Sequence, residues 1–303
     1  MNNIINTKVK FVRNLHGVGF NTNTTPQIQS QNLKLAIDAC NGCGLKAEKL
    51  DNLNDNVIEN LLASGKLEKN FIKNISHKGY ASNEDASVQI NGINHIEIFA
   101  TDLEILDAYS KAKQVDKMLC NKLHFSYSDK YGFLTPEVNN IGSGMTISTL
   151  VMLPALNKVN AIKDLPKFSE KLKFSLQPID TNSGIYLITS GASLGYSEKQ
   201  ICTLTKNYIA KVLKCENEMC KTLCCDKVEI EDKFLRAKAI INSCIKISLE
   251  ELYVLIGDIL IAINAGLVKD VPDTNLQQLF KATQDEQTNN PQYLAKIIKN
   301  ILK

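Results

Sequence analysis

A chain of 303 residues with 44% hydrophobic residues holds enough apolar material for one large core or two smaller ones. A formal net charge of +3 without an aromatic-studded basic stretch argues against nucleic acid, and no run reaches the roughly 18 consecutive apolar residues of a membrane span. The leading MNNIINTKVK lacks the apolar stretch of a signal peptide, and nine cysteines, an odd number, read as reduced thiols, so a soluble cytoplasmic protein is expected.

Residues 1–75 are polar and carry helical spacing, with Leu33, Leu35 and Ile37 followed by Val57, Ile58, Leu61 and Leu62, which predicts a small, mostly helical leading subdomain. From Ala86 the period changes to two. Val88 and Ile90 alternate with Ser87 and Gln89, then Ile96 and Ile98 with His95 and Glu97, as half-buried strands do. Asn91 and Gly92 between them predict a tight turn with positive φ. An amphipathic helix is predicted over 102–123, with Leu103, Leu106, Tyr109, Ala112 and Leu119 near one stripe. A polar loop at 135–140 leads to a β-like run at 142–156, and 185–188 is a further strand-like piece.

Ser197 and Gln200 make a capping box for a helix carrying Ile201, Leu204, Tyr208 and Val212. Two more helices follow: one with Phe234, Ala237, Ile241, Cys244 and Ile245, and one starting at Ser248, with Glu251 as capping partner, and stopping near Gly266. A boundary within 215–230 divides a main domain, 1–220, from a helical C-terminal domain, 226–303.

Five fragments, in this order, carry a resemblance: VKFVRNLHGVGF (9–20), SVQINGINHIEI (87–98), DKYGFLTPEVNNIGSGMTIS (129–148), LGYSEKQI (194–201) and GDILIAINAGLV (257–268). As a set they resemble the ATP:guanido phosphotransferases, and best the bacterial protein arginine kinases of the McsB type. The resemblance implies an α+β fold: a phosphagen-kinase-like antiparallel sheet flanked by helices, plus a helical C-terminal domain. It also implies phosphoryl transfer from magnesium-ATP to a guanidinium. That reaction needs carboxylates to orient a cation of pKa above about 12, and fixed positive donors to clamp the triphosphate.

The chain departs from the family at the positions that matter for this chemistry. Where the family reads Asn-Glu-Glu-Asp-His, an apolar residue and Arg, the chain has Asn91, Gly92, Ile93, Asn94, His95, Ile96 and Glu97. Both glutamates are gone and the arginine has become an acid. Downstream, Glu137 stands at the family's cysteine and Thr146 at its arginine, while the paired arginines near the N-terminus match Lys8 and Lys10. The phosphate loop corresponds to 175–184, which holds no basic residue, and the tail's phosphoarginine motif to 290–295, without either arginine. The chain has two arginines, Arg13 and Arg236, and neither falls on a phosphate-binding position.

The expected function is therefore that of a catalytically impaired or inactive relative, a pseudokinase acting by protein binding or regulation. The expected partners are itself, as a dimer, a homologous active arginine kinase, or regulatory proteins. No cofactor is expected; if any activity remains it uses magnesium-ATP, and Lys8 and Lys10 form a weak remnant nucleotide site. The alternatives are an active guanidino phosphotransferase with altered residues, or a thiol or zinc module built on Cys40 and Cys43 or on Cys215, Cys220, Cys224 and Cys225. Those cysteines read better as reduced, partly buried thiols, and no metal site is expected. His95 is open to a nucleotide-stacking or catalytic role, but its strand setting favours a structural one. Glu137 and Asp180 read as solvated loop carboxylates or as substitutes for the missing acids.

Overall fold

The computed structural model describes residues 3–20, 24–63, 65–166, 168–169, 172–223, 225–268, 278–280, 282–283 and 290–301. The strands are β1 (Ile4–Asn14), β2 (Lys46–Lys49), β3 (Lys78–Ser82), β4 (Ser87–Asn91), β5 (His95–Asp102), β6 (Tyr127–Ser128), β7 (Gly132–Phe133), β8 (Met145–Met152), β9 (Phe168–Ser169), β10 (Leu172–Asp180) and β11 (Ile185–Ser190). The helices are α1 (Pro26–Asn41), α2 (Asp55–Ala63), α3 (Ile105–Cys120), α4 (Pro154–Lys158), α5 (Glu198–Leu223), α6 (Lys227–Ser243), α7 (Leu249–Asn264) and α8 (Pro291–Ile298). Nine strands form one sheet in the order β2-β3-β4-β5-β1-β8-β11-β10-β9, while β6 and β7 pair separately. The fold is α+β, with β2, β3, β4, β5 and β1 paired antiparallel in succession.

The chain divides into two compact units, one of Asn6–Ser148 and Thr189–Thr205, the other of Met1–Ile5, Thr149–Ile188 and Lys206–Lys303. In the first, α3 turns Ala108, Ala112, Val115 and Leu119 inward, the alanines leaving room for close packing. Asp116, also buried, meets Arg13 of β1 at 2.8 and 3.0 Å in a two-pronged pair. Lys113 bridges Asp116 (2.9 Å) to Glu198 (2.7 Å), and the Tyr109 hydroxyl donates to Glu198 at 2.8 Å. Burial works against the Asp116 charge, but Arg13 and Lys113 outweigh it and hold the carboxyl below its usual range.

The second unit is centred on α7, whose Leu252, Ile256, Ile259 and Leu260 are withdrawn from solvent among Phe234, Ala237 and Ile241 of α6 and Leu294 and Ile298 of α8. Glu216 of α5, fully buried, accepts the Ala155 and Leu156 amides at 2.8 and 2.9 Å, satisfying the start of α4.

Several expectations hold. Ser197 and Gln200 exchange the reciprocal bonds of a capping box, the Ser248 hydroxyl accepts the Glu251 amide, and Gly266, at φ +78°, ends the α7 region. Others change. Within residues 1–75, α1 and α2 are helical, but Ile4–Asn14 is a strand between β5 and β8, its Ile5, Thr7, Val9 and Phe11 buried in alternation. The amphipathic helix is shorter than 102–123, leaving Leu103 outside it and Leu106 exposed. The run at 142–156 is strand only to Met152, because Pro154 opens α4. The stretch 175–184 is mostly strand β10 turning toward β11 rather than an open loop. Cys244 and Ile245 fall beyond α6.

Replacing Asp116 with Asn should leave the Arg13 charge buried and half paired. A loss of about 3–5 kcal/mol is expected in urea unfolding, as for other broken buried pairs; a variant within 1 kcal/mol of the wild type, about the worth of a surface pair, would contradict this role.

Candidate functional site

Antiparallel register gathers the polar residues of the first unit on one face of the sheet. Lys8 lies opposite Thr101, Lys10 opposite Phe99 and Val12 opposite Glu97, while β4 sets Gln89 opposite Glu97 and Asn91 opposite His95. Opposed residues share a face, so Lys8, Lys10, Gln89, His95 and Glu97 converge. Lys10 is 3.5 Å from Glu97. A second carboxylate, Glu68 from the segment after α2, lies 3.6 Å from both Lys8 and Lys10. Lys8 also donates to the Gly65 carbonyl (3.3 Å) and sits 4.5 Å above the Phe99 ring.

The two lysines are thus matched by two acids. Burial raises the Glu97 carboxyl, against the pull of Lys10. Burial opposes the Lys10 charge too, but Glu97 and Glu68 outweigh it and leave Lys10 raised; Lys8, less strongly paired, is lowered by the same burial. Glu137 is exposed, its carboxylate accepting from Asn140 at 2.9 Å, and its field reaches both His95 and Glu97. Thr146 is half-buried on β8.

Glu68 is the participant that motif reading missed. It belongs to no fragment of the resemblance, and only the charge match across the fold reveals it. Its amide donates to the Gln89 side-chain oxygen at 3.3 Å; Ser87 and Gln89 are buried rather than the open face of a half-buried strand.

The hairpin tip is a packing surface. Gly92, Ile93 and Asn94 connect paired Asn91 and His95, and Gly92 is not in the positive-φ region that an Asn-Gly turn predicts. Glycine is required there for space: a Cβ would come 2.6 Å from the carbonyls of Gln29 and His77. Asn32 of α1 donates to the carbonyls of Gly92 (3.1 Å) and Ile93 (3.4 Å). Gly92 and Ile93 therefore lie against α1.

His95 is pushed down to about 4, chiefly by burial, with Glu137 opposing and Lys10 and Lys78 assisting. Its Nδ1 is 2.7 Å from Asn94 Oδ1. A neutral, hydrogen-bonded ring fits a structural role. Asp180 accepts the Asn182 amide and the Ser183 hydroxyl, fastening the turn before β11. Arg13 is buried in its pair, and Arg236 is an exposed partner of Asp232 at 2.7 Å. In the tail stretch, Asn290 caps α8 by accepting from Gln292 and Tyr293.

Burial pushes the Cys40 thiol up to about 12 and Cys43 upward as well; both sit at the C-terminal end of α1, where the helix dipole opposes a thiolate. Cys220 is buried beside Glu216, Cys215 is half-buried and Cys225 exposed, while Cys224 lies outside the described residues. Among the described residues no group of three or more His, Cys, Asp or Glu is placed to hold a metal ion.

The family profile described as "ATP:guanido phosphotransferase, C-terminal catalytic domain" matches residues 32–219. The chain belongs to the ATP:guanido phosphotransferase family. It is 25% identical over 290 residues to the protein-arginine kinase of Halothermothrix orenii, covering 91% of this chain and 83% of that one. With the protein-arginine kinase of Clostridium botulinum it shares 25% over 313 residues, 98% of this chain and 91% of the relative. The fold is shared with the duplicated taurocyamine kinase of Schistosoma mansoni (TM-score 0.59, 20% identity, 71% of this chain and 33% of that one). It is shared also with lombricine kinase (TM-score 0.59, 16% identity, 71% of this chain and 66% of that one).

The family's reaction uses ATP, but the side chains here do not fit a magnesium-bound triphosphate. Lys8 and Lys10 are already neutralised by Glu68 and Glu97, and Glu97 would repel phosphate oxygens.

Two outcomes follow. Glu at position 92 has no space, so Gly92→Glu should destabilise the fold by about 1–3 kcal/mol or more; unchanged urea unfolding would contradict the packing argument. For His95, the folded pKa of about 4 lies below the ordinary 6.5, so its contribution is intact above 6.5 and is lost as pH falls through about 4. Melting temperature should drop more steeply across that window in the wild type than in His95→Asn, and parallel curves would refute the assignment.

Proposed function

We propose that this member of the family works by binding rather than by transferring phosphate. The observation that supports this reading is the closed ion cluster: both cations at the family's paired-arginine positions are held by the chain's own carboxylates, one of them standing where the family has an arginine. Each lost transition-state donor costs about 3–4 kcal/mol, and even strongly non-additive losses at Glu97, Thr146, Lys8 and Lys10 remove most of the acceleration. The missing acids at Gly92 and Ile93 leave nothing there to orient a guanidinium.

The binding partners proposed are a second copy of the chain or an active protein-arginine kinase, engaged through the tail, 226–303. Exposed Val228, Leu235 and Ile245 in and beside α6 support that surface, and two-fold association is the commonest arrangement. A reducing, cytoplasmic setting suits the described cysteines, all free thiols; among the described residues no helix is long and apolar enough to cross a membrane.

The test joins chemistry to binding. Labelled ATP should transfer no phosphate to arginine, free or in protein, and calorimetry at about 150 mM salt, with a Debye length of ≈ 8 Å, should show no saturable heat with magnesium-ATP. The double change Glu68→Gln with Glu97→Arg should introduce such heat. Transfer at about 1 per second or more, abolished by Lys8→Ala with Lys10→Ala, would establish a re-engineered enzyme instead. Light scattering that finds a monomer indifferent to an active protein-arginine kinase would remove the binding half.

A further inference from the structure

Just beyond β1, and in the segment between α3 and β6, the first unit sets two histidines against one another. Leu15 and Phe125 form an antiparallel bridge. It is framed by hydrogen bonds from the His16 amide to the His124 carbonyl (2.9 Å) and from the Ser126 amide to the Asn14 carbonyl (2.8 Å). That register places His16 directly opposite His124, one step outward from the bridge. Opposed residues of an antiparallel pair share a face, with Cβ atoms about 4.5–5.5 Å apart. Both histidines are exposed.

The backbone beneath them is fixed. The Leu15 amide donates to the Asn94 carbonyl at 2.8 Å, and the Leu134 amide to the Ser126 carbonyl at 2.9 Å. The Leu15 carbonyl accepts from Ser126 Oγ (3.2 Å) and from Asn14 Nδ2 (3.1 Å). Leu15 and Leu123, which neighbour the pair along the chain, are buried. A ligand shared by both rings therefore freezes side-chain rotation and little else, which keeps the entropy cost of binding low.

The chemistry of the pair selects its ligand. The other two histidines are engaged, His77 Nδ1 lying 3.1 Å from Ser30 Oγ and His95 Nδ1 2.7 Å from Asn94 Oδ1, whereas neither His16 nor His124 has such a side-chain partner among the described residues. No acid lies within four residues of either along the chain, so the pair offers ring nitrogens without a carboxylate beside them in sequence. Metal–imidazole bonds of about 2.0–2.1 Å put two nitrogens bound to one ion roughly 3 Å apart, a separation that two rings carried on opposed Cβ atoms can reach. Imidazole suits zinc, copper and nickel, while magnesium and calcium prefer oxygen.

From the cross-strand register and the unpartnered rings, we propose that His16 and His124 form a two-histidine site for a late first-row divalent cation such as nickel or zinc. Water fills the remaining coordination positions. Two protein ligands fall short of the four of a closed structural site, so the ion exchanges rather than being built in. It ties the chain leaving β1 to the chain entering β6. The site shares no residue with the lysine cluster, and it stands whether or not the chain transfers phosphate.

Nickel chloride is a suitable probe. Calorimetric titration of the reduced full chain should show one saturable site that neither magnesium nor calcium competes for. In proton NMR, nickel should broaden the ring signals of His16 and His124 first among the four histidines, each assigned by its own substitution. His16→Ala or His124→Ala, both at exposed positions and so compatible with an unchanged circular dichroism spectrum, should weaken nickel binding about tenfold or more, because the second bond of a chelate forms at high effective concentration. Combining them should add little, since either alone already breaks the chelate. His77→Ala should leave binding intact. Nickel should raise the melting temperature of the wild type but not of the double variant. Nickel binding of wild-type strength in the double variant, as the cysteines would give, or broadening confined to His77 and His95 would overturn the proposal.

Discussion

Arg13 and Asp116 meet fork to fork with both side chains withdrawn from solvent, and the first unit is arranged around satisfying them. Two guanidinium nitrogens serve Asp116, a third donates to the carbonyls of Val12 and Ser143 at 3.0 and 2.9 Å, and the plane lies 3.7 Å from the Phe133 ring centroid. Removing two charges from water is costly, and only a complete set of partners offsets the cost. Lysine, a point charge on a flexible stem, cannot reproduce those directions. In a chain whose positive charge is almost entirely lysine, this is a physical reason for an arginine to remain.

The same pair accounts for the backbone of the turn at 142–144. Gly144 adopts φ +64°, and a Cβ there would lie 2.5 Å from Arg13 Nη1 and 2.6 Å from the Val12 carbonyl. Gly142, at φ +109°, would bring a Cβ to 3.0 Å from the Ser193 carbonyl. These backbone positions hold the Ser143 carbonyl against Arg13. Glu137 and Thr146, on either side of them, take no part in the pair.

Legibility followed the same division between local and distant constraints. Alternation through 87–98 and the boxes at Ser197 and Ser248 were readable because the deciding partners are a few residues apart. Strand β1 is hard to see in the sequence, because Asn6, Lys8 and Lys10 make a buried-alternate strand look polar. The glycine in the hairpin suggested a positive φ, whereas its actual cause, the carbonyls of Gln29 and His77, comes from elsewhere in the chain. Glu68, the acid that completes the cluster, could not be read from motifs. Its relation to Lys8 and Lys10 exists only after β1 and the segment following α2 are brought together.

That cluster also resists change in small steps. Lys10 shares Glu68 and Glu97 at 3.6 and 3.5 Å, and Lys8 shares Glu68. An arginine at 97 alone would set three cations around one carboxylate in a partly dry site, whereas loss of Glu68 alone would leave Lys8 facing Lys10 with only Glu97 for balance. Each single change strands a charge whose solvation has already been given up, and such uncompensated charges cost more than the intact pairs contribute. The electrostatics therefore couple the positions: an anion site here requires Glu68 and Glu97 to be altered together, with the lysines kept, before the field at β1 turns positive again.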